Sequence, residues 1–306
     1  MTERITSIER FSAGHSNRIA VKAEGQNPDI AVVCDSPKLS MSQVTTYRWS
    51  LLDEAKNFRT LGIEAIGIWR PKLAEFGEER SVELLADSGL SVSSVSWAGG
   101  FTGSNGHSFQ EAVDDAREAI RMTDRLNADC LVIVSGSRRG HTSNHARRSL
   151  IAALQELADF ASEYNVELAI QPMHVSFSHE WTFLTSIDQT LDVLNAVGHP
   201  FVKMAFDVYH LWQEPGLIER IPELVQYIAT VQLSDWKRLP RSESDRCLIG
   251  DGQIPLEQFV STLIENQYRG YFDIQIWSDE VWASDYLELL QCCQKRFRSM
   301  LPVKSC

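Results

Sequence analysis

A (β/α)8 barrel, also called a TIM barrel, is the fold class this sequence predicts, and three observations point to it. Between residues 39 and 306, apolar runs of strand length alternate eight times with amphipathic stretches of helix length. Several runs are close to continuous in Val, Ile, Leu and Phe, as strands buried on both faces require. Residues that tolerate positive φ close the helical stretches just ahead of the next run. A doubly wound open sheet is the competing architecture. It needs fewer units and a phosphate-binding glycine fingerprint after its first strand, whereas Gly99-Gly100 follow the third run and lack the spacing.

Taken in order, the strand-like runs are 39–45, 63–69, 91–97, 130–135, 166–173, 202–209, 228–234 and 270–277. Between them, Leu150, Ile151, Leu154, Leu157, Ala158 and Ala161 recur at helical spacing, as do Trp282, Tyr286, Leu289, Leu290, Cys293 and Phe297. Gly62, Gly89, Asn127, Asn165, Gly198 and Gly270 take the helix-stop positions. Residues 1–38 precede the first run and read as an N-terminal extension, with one barrel domain over 39–306.

The bulk numbers bound the function. A formal net charge of −12 in 306 residues argues against nucleic acid or an anionic membrane as partner, since both call for a basic surface. No apolar run reaches the roughly 18 residues of a membrane span, and the charged start lacks a signal-peptide core. The six cysteines show no metal-type spacing and read as reduced thiols of a cytoplasmic protein.

In such a barrel the chemistry sits past the C-terminal ends of the strands. There the sequence places Gln43 and Thr45; Trp69 and Arg70; Trp97 to Phe101; Ser135, Arg138 and His141; Gln171 and His174; Asp207 and His210; Gln232, Asp235, Trp236 and Arg238; and Gln275 and Trp277. Polar groups walled by aromatics suit a hydroxylated small molecule, because ring faces meet C–H faces and amides bond hydroxyls. Blander readings stand beside this one. Asp207 and His210 also suit a buried structural pair, His174 divides evenly between facing a ligand and capping a loop, and each tryptophan alone suits barrel-mouth packing. Arg246 divides evenly between a site residue and a solvated loop charge.

The segments LAIQPMH, FDVYHLW, VQLSDW, SDRCLIGDGQIPL and GYFDIQIW, preceded by LSMSQVTT, IGIWR and WAGGFTG, resemble the successive motifs of the xylose-isomerase-like barrels. That group includes sugar phosphate isomerases/epimerases, ketose 3-epimerases, hydroxypyruvate isomerases and inosose dehydratases. The resemblance implies a divalent metal held by Glu, Asp, His and Glu, with the two glutamates moving a proton through an enediolate. At the matching positions this chain carries Gln171, Asp207, Gln232 and Gln275. His210 matches the family's substrate-binding histidine, and Arg238 an arginine that contacts substrate oxygen.

Three amides for three titratable or charged ligands lower the formal ligand charge from −3 to −1, which weakens a divalent site. An amide has no proton to exchange near neutral pH, so neither Gln171 nor Gln275 acts as a general base. The expectation is therefore an isomerase, epimerase or lyase acting on a small sugar, polyol or keto-sugar, with no metal or a weakly bound Mn2+, Mg2+ or Co2+. His210 or His174 would be the acid/base group, oriented by Asp207. Gln171, Gln232, Gln275, Arg238, Trp97, Trp236 and Trp69 would bind substrate. The alternative is a non-catalytic sugar-binding or regulatory relative. A homo-oligomer is compatible with either.

Overall fold

The computed structural model describes residues 37–302, except 238–241 and 243. Eight parallel strands close on themselves in sequence order. They are β1 (Lys38–Ser42), β2 (Ala65–Trp69), β3 (Ser91–Gly99), β4 (Cys130–Val134), β5 (Glu167–Ile170), β6 (Val202–Asp207), β7 (Ile228–Leu233) and β8 (Tyr271–Ile274). The helices outside them are α1 (Leu51–Leu61), α2 (Arg70–Phe76), α3 (Glu78–Ser88), α4 (Phe109–Arg125), α5 (Ser143–Glu163), α6 (Ile187–Val197), α7 (Val208–Leu211), α8 (Leu217–Leu224), α9 (Leu256–Glu265), α10 (Asp279–Trp282) and α11 (Tyr286–Ser299). The predicted barrel is the observed one.

Strand side chains divide between two environments. In β4, Leu131 and Ile133 join the layer between strands and helices, whereas Cys130 and Val132 join Ala169 and Ala205 in a small cluster of their own. Helix starts follow local chemistry. Ser50 and Ser108 each accept from the backbone three residues on, while Asp53 and Glu111 reach back to the cap, closing two capping boxes.

Boundaries differ from the sequence reading where an apolar run outlasts its strand. β6 stops at Asp207, whose carboxylate accepts from Tyr209 N and starts the one-turn α7; the run VYHLW, expected partly as strand, is helical there. β1 ends at Ser42, so Gln43 and Thr45 fall in a turn. Trp282 belongs to the short α10, and α11 begins afresh behind an Asp285 cap. Gly62, Gly89, Gly198, Asn127 and Asn165 adopt the left-handed backbone expected of helix stops. Gly270 does not: that role falls to Gln267, at φ 67°. Glycine is needed at 270 for another reason, since a Cβ would lie 2.4 Å from the Tyr268 hydroxyl.

Strand register brings the family positions together. Asp207 pairs with Gln232 across β6 and β7. One residue past their strands, Gln171 N bonds Ile133 O and Gln275 N bonds Leu233 O, so the ladder carries both glutamines to the barrel's C-terminal end.

Candidate active site at the barrel mouth

Gln171, Asp207, Gln232 and Gln275 are all buried, and most of their polar atoms are tied into one network. Trp97 Nε1 donates to Gln171 Oε1 at 3.0 Å, which fixes the orientation of the amide. The amide nitrogen then donates to Gln232 Oε1 at 2.8 Å and to Asp207 Oδ2 at 3.2 Å. A carboxylate at 171 would lose both donations and face Asp207 as a like charge, so the neutral amide is what this neighbourhood requires.

At the centre of the network lies Arg246, which is 8% exposed. Its Nη1 donates to Asp207 Oδ2 at 3.0 Å, Ser234 Oγ at 3.2 Å and Gln275 O at 3.4 Å, and its Nη2 to His210 Nε2 at 2.9 Å. The guanidinium also lies over the Tyr209 ring, 4.4 Å from its centre. A solvated loop charge was one of two sequence readings of Arg246; the structure instead buries it as the cation of the site.

The loop that delivers this arginine is organised by Asp235. Its carboxylate accepts from the backbone N–H groups of Trp236, Gly250, Gly252 and Ile254. Asp235 and Cys247 exchange backbone bonds of 3.0 Å, and Arg246 N bonds Trp277 O. A Cβ at residue 252 would lie 2.2 Å from Asp235 Oδ1, which explains the glycine in the GDGQI segment. Asp235, grouped by sequence with the pocket's titratable residues, is thus a loop-former.

Electrostatics follow from burial. Because Arg246 donates to Nε2, His210 carries its proton on Nδ1 and is neutral. Burial, followed by the arginine's charge, holds its pKa well below the ordinary histidine value. Burial pushes the Asp207 carboxyl up, while Arg246, Tyr209 N and Gln171 oppose that shift. Four side-chain atoms here are buried without a hydrogen-bond partner: His210 Nδ1, Gln232 Nε2, Arg246 Nε and Gln275 Oε1. The cavity among Trp97, Phe177, Trp181, Trp277, His210 and Arg246 measures about 30 Å3, room for about two waters. A molecule the size of a sugar fits here only if the arginine or the aromatic wall shifts.

The residues present do not fit a divalent ion. Gln171 turns its NH2 toward Asp207, the Gln232 carbonyl is already bonded, and a guanidinium occupies the single carboxylate of the set. Among the described residues no three His, Cys, Asp or Glu side chains are grouped to hold a metal.

The other expected site residues are placed differently. His174 is half-buried and caps the 3-10 turn Val175–Phe177 through Nδ1, so it sits outside the cavity. Trp236 is 3% exposed and packs on Tyr209, Trp212 and His174. Trp69 packs at the rim against Tyr47 and Trp277. Arg70 pairs with Asp115, and Thr45 clips the end of β8 by bonding Ile274 O and Ile276 N. Gln43 bonds Glu54, which forms a buried 2.6 Å ion pair with Lys72. Arg238 lies outside the described residues. Arg246, Phe177, Trp181 and Met173 line the cavity although none was chosen as a binding residue from sequence. The GDGQI loop motif was the available signal for Arg246, but no spacing rule reveals that the loop turns inward.

A family model described as xylose isomerase-like TIM barrel matches residues 55–296. The chain belongs to that family. Among curated relatives, an inosose isomerase of Halalkalibacterium halodurans is 21% identical over 57% of this chain. The match spans 62% of that isomerase's length. Among solved structures, a protein of Sinorhizobium meliloti 1021 named SMc04130 superimposes with a TM-score of 0.80 at 27% identity, covering 87% of this chain and 99% of its own. A protein named IOLI, solved with a bound zinc atom, has a TM-score of 0.75 at 20% identity over 86% of this chain and 97% of its own. A protein of the same fold thus holds zinc, while in this chain Arg246 bonds Asp207, one of the positions at which the resemblance implies metal ligands. No helix among the described residues is long and apolar enough to cross a membrane.

Proposed function

We propose that this chain is an isomerase- or epimerase-like protein acting on a small sugar, polyol or keto-sugar, in which Arg246 replaces the metal as the site's positive charge. The observation that carries the reading is the guanidinium bridging Asp207 and His210 at 3.0 and 2.9 Å. A ligand oxygen entering the mouth competes for Nη2 and releases the His210 Nε2 lone pair. The arginine then stabilises negative charge developing on that oxygen, and the freed imidazole takes and returns a carbon-bound proton. Gln275 Oε1, unpartnered at the cavity wall, offers an acceptor to a substrate hydroxyl. Neither step routes through a metal.

A second reading, a non-catalytic sugar-binding relative, is favoured by the imidazole lone pair being held by Arg246 in this conformation. One experiment separates them. The purified chain, treated with chelator, is incubated with keto-sugars and inososes in D2O, and solvent deuterium in the substrate is read by NMR. Catalysis predicts exchange that disappears in His210→Ala and Arg246→Gln and is insensitive to chelation. Binding without exchange of any tested sugar selects the second reading. Exchange that requires added Mn2+ overturns the metal-free mechanism.

A further inference from the structure

A second cavity, of about 820 Å3, lies on the other side of the segment that walls the mouth. The segment divides its side chains between the two: Met173, Phe177 and Trp181 face the mouth, whereas Val175, Ser178 and Phe183 face the outer cleft. It is tied to the loop after β4 by Gly136 N to Trp181 O at 3.0 Å and Phe183 N to Gly136 O at 3.1 Å.

Charge marks this cleft out. The chain has 41 acidic and 29 basic residues, and several arginines elsewhere on its surface pair with carboxylates: Arg117 with Glu156, Arg125 with Glu79, Arg220 with Asp188 and Arg296 with Asp251. Arg138, Arg139 and Arg147 line the cleft, and among the described residues their hydrogen bonds go to neutral groups, namely Ser143 Oγ, Gly103 O and Asp192 O. His141 and His179 stand beside them, and Asp192 is the single carboxylate among the described lining residues. Three guanidinium charges against one carboxylate leave a formal +2 before the imidazoles are counted. The N-terminus of α5, a 21-residue helix with no acidic residue in its first turn, opens onto the same space and adds its positive end.

We infer that this cleft binds the phosphate group of a small phosphorylated molecule, at a site distinct from the barrel mouth. Guanidinium forks match phosphate geometry and charge. A bare ion would leave most of 820 Å3 unfilled, and the exposed Val175 with Phe183 and Leu184 supplies an apolar wall for the organic part of an ester. A nucleic-acid strand is disfavoured by the −12 net charge surrounding so confined a patch.

Isothermal titration of the full chain at low ionic strength tests the assignment, using a hexose monophosphate, the free hexose, inorganic phosphate and a short RNA. The monophosphate is expected to bind more tightly than the other three. Arg138→Gln and Arg147→Gln should each weaken it about tenfold, the double variant further, and Arg148→Gln, off the cleft, should change nothing. Thermal unfolding of all variants shows that they fold. Inorganic phosphate binding as well as the ester, an adventitious ion only, overturns the inference. So does an affinity unchanged in the double variant, which would put the ester at the mouth, and so does preference for RNA.

Discussion

Gln171 uses both amide hydrogens and its carbonyl, between Trp97 on one side and Gln232 and Asp207 on the other. That accounting explains an amide better than the loss of a metal ligand does alone. A carboxylate there would stand about 3.2 Å from the Asp207 oxygen that already takes the Arg246 guanidinium, a second negative charge on a single cation. Gln171→Glu should therefore lower stability by about 3 kcal/mol at neutral pH, with the loss shrinking as pH falls and the new carboxyl takes up a proton. Urea unfolding at pH 7.5 and pH 5 checks it; equal losses at both would show that charge is not the cause. Gln171 and Asp207 were legible as a pair of family positions from sequence, whereas the Arg246 that links Asp207 to His210 was not. Its partners lie 39 and 36 residues away along the chain, and only the folded loop brings them within 3 Å.

At the scale of an element, the loop between β7 and α9 is held by one carboxylate accepting four backbone hydrogen bonds. Asp235→Ala removes the common acceptor of Trp236, Gly250, Gly252 and Ile254. Bonds to an ionised group contribute about 1.5–3 kcal/mol each, but the exposed part of the loop regains water, so a net loss of about 3 kcal/mol is expected. The loop should also open faster than the barrel. Hydrogen exchange at Gly250 and Gly252 should rise by more than tenfold while strand amides stay protected; uniform loss of protection would mean global destabilisation instead. Strand ends were the least legible elements, because VYHLW serves equally as strand or helix until Asp207 caps Tyr209 N.

Across the whole molecule, the barrel interior contains a further buried acid. Asp273 of β8 is 1% exposed, its Oδ1 has no partner, and burial pushes its pKa to about 7, against the Ser40 hydroxyl that lowers it. The sign follows directly. A carboxyl whose folded pKa is raised from 3.8 binds its proton more tightly in the native state. Stability from that proton is present in full below pH 3.8, declines as pH rises toward about 7, and is absent as a gain above it. The difference is of order 4 kcal/mol as an upper bound. Asp273→Asn should thus unfold at a higher temperature than the parent chain at pH 8, with the gap closing near pH 5. A gap independent of pH would remove the buried proton from the explanation.

The sequence alone determined the barrel, its eight units and the residues at the ends of strands five to eight. These follow from periodicity and from local chemistry that travels with the chain: two-sided burial, caps and left-handed stops. Tertiary structure alone decided what those residues face. Closing the barrel placed Asp207 beside Gln171 and Gln232, and the Asp235 loop then laid Arg246 across Asp207 and His210. Burial turned a nominal loop arginine into the charge that the mouth is built around, because a guanidinium taken out of water must meet a carboxylate and acceptors on nearly every side. No pattern in the linear chain states which loop will turn inward to supply them.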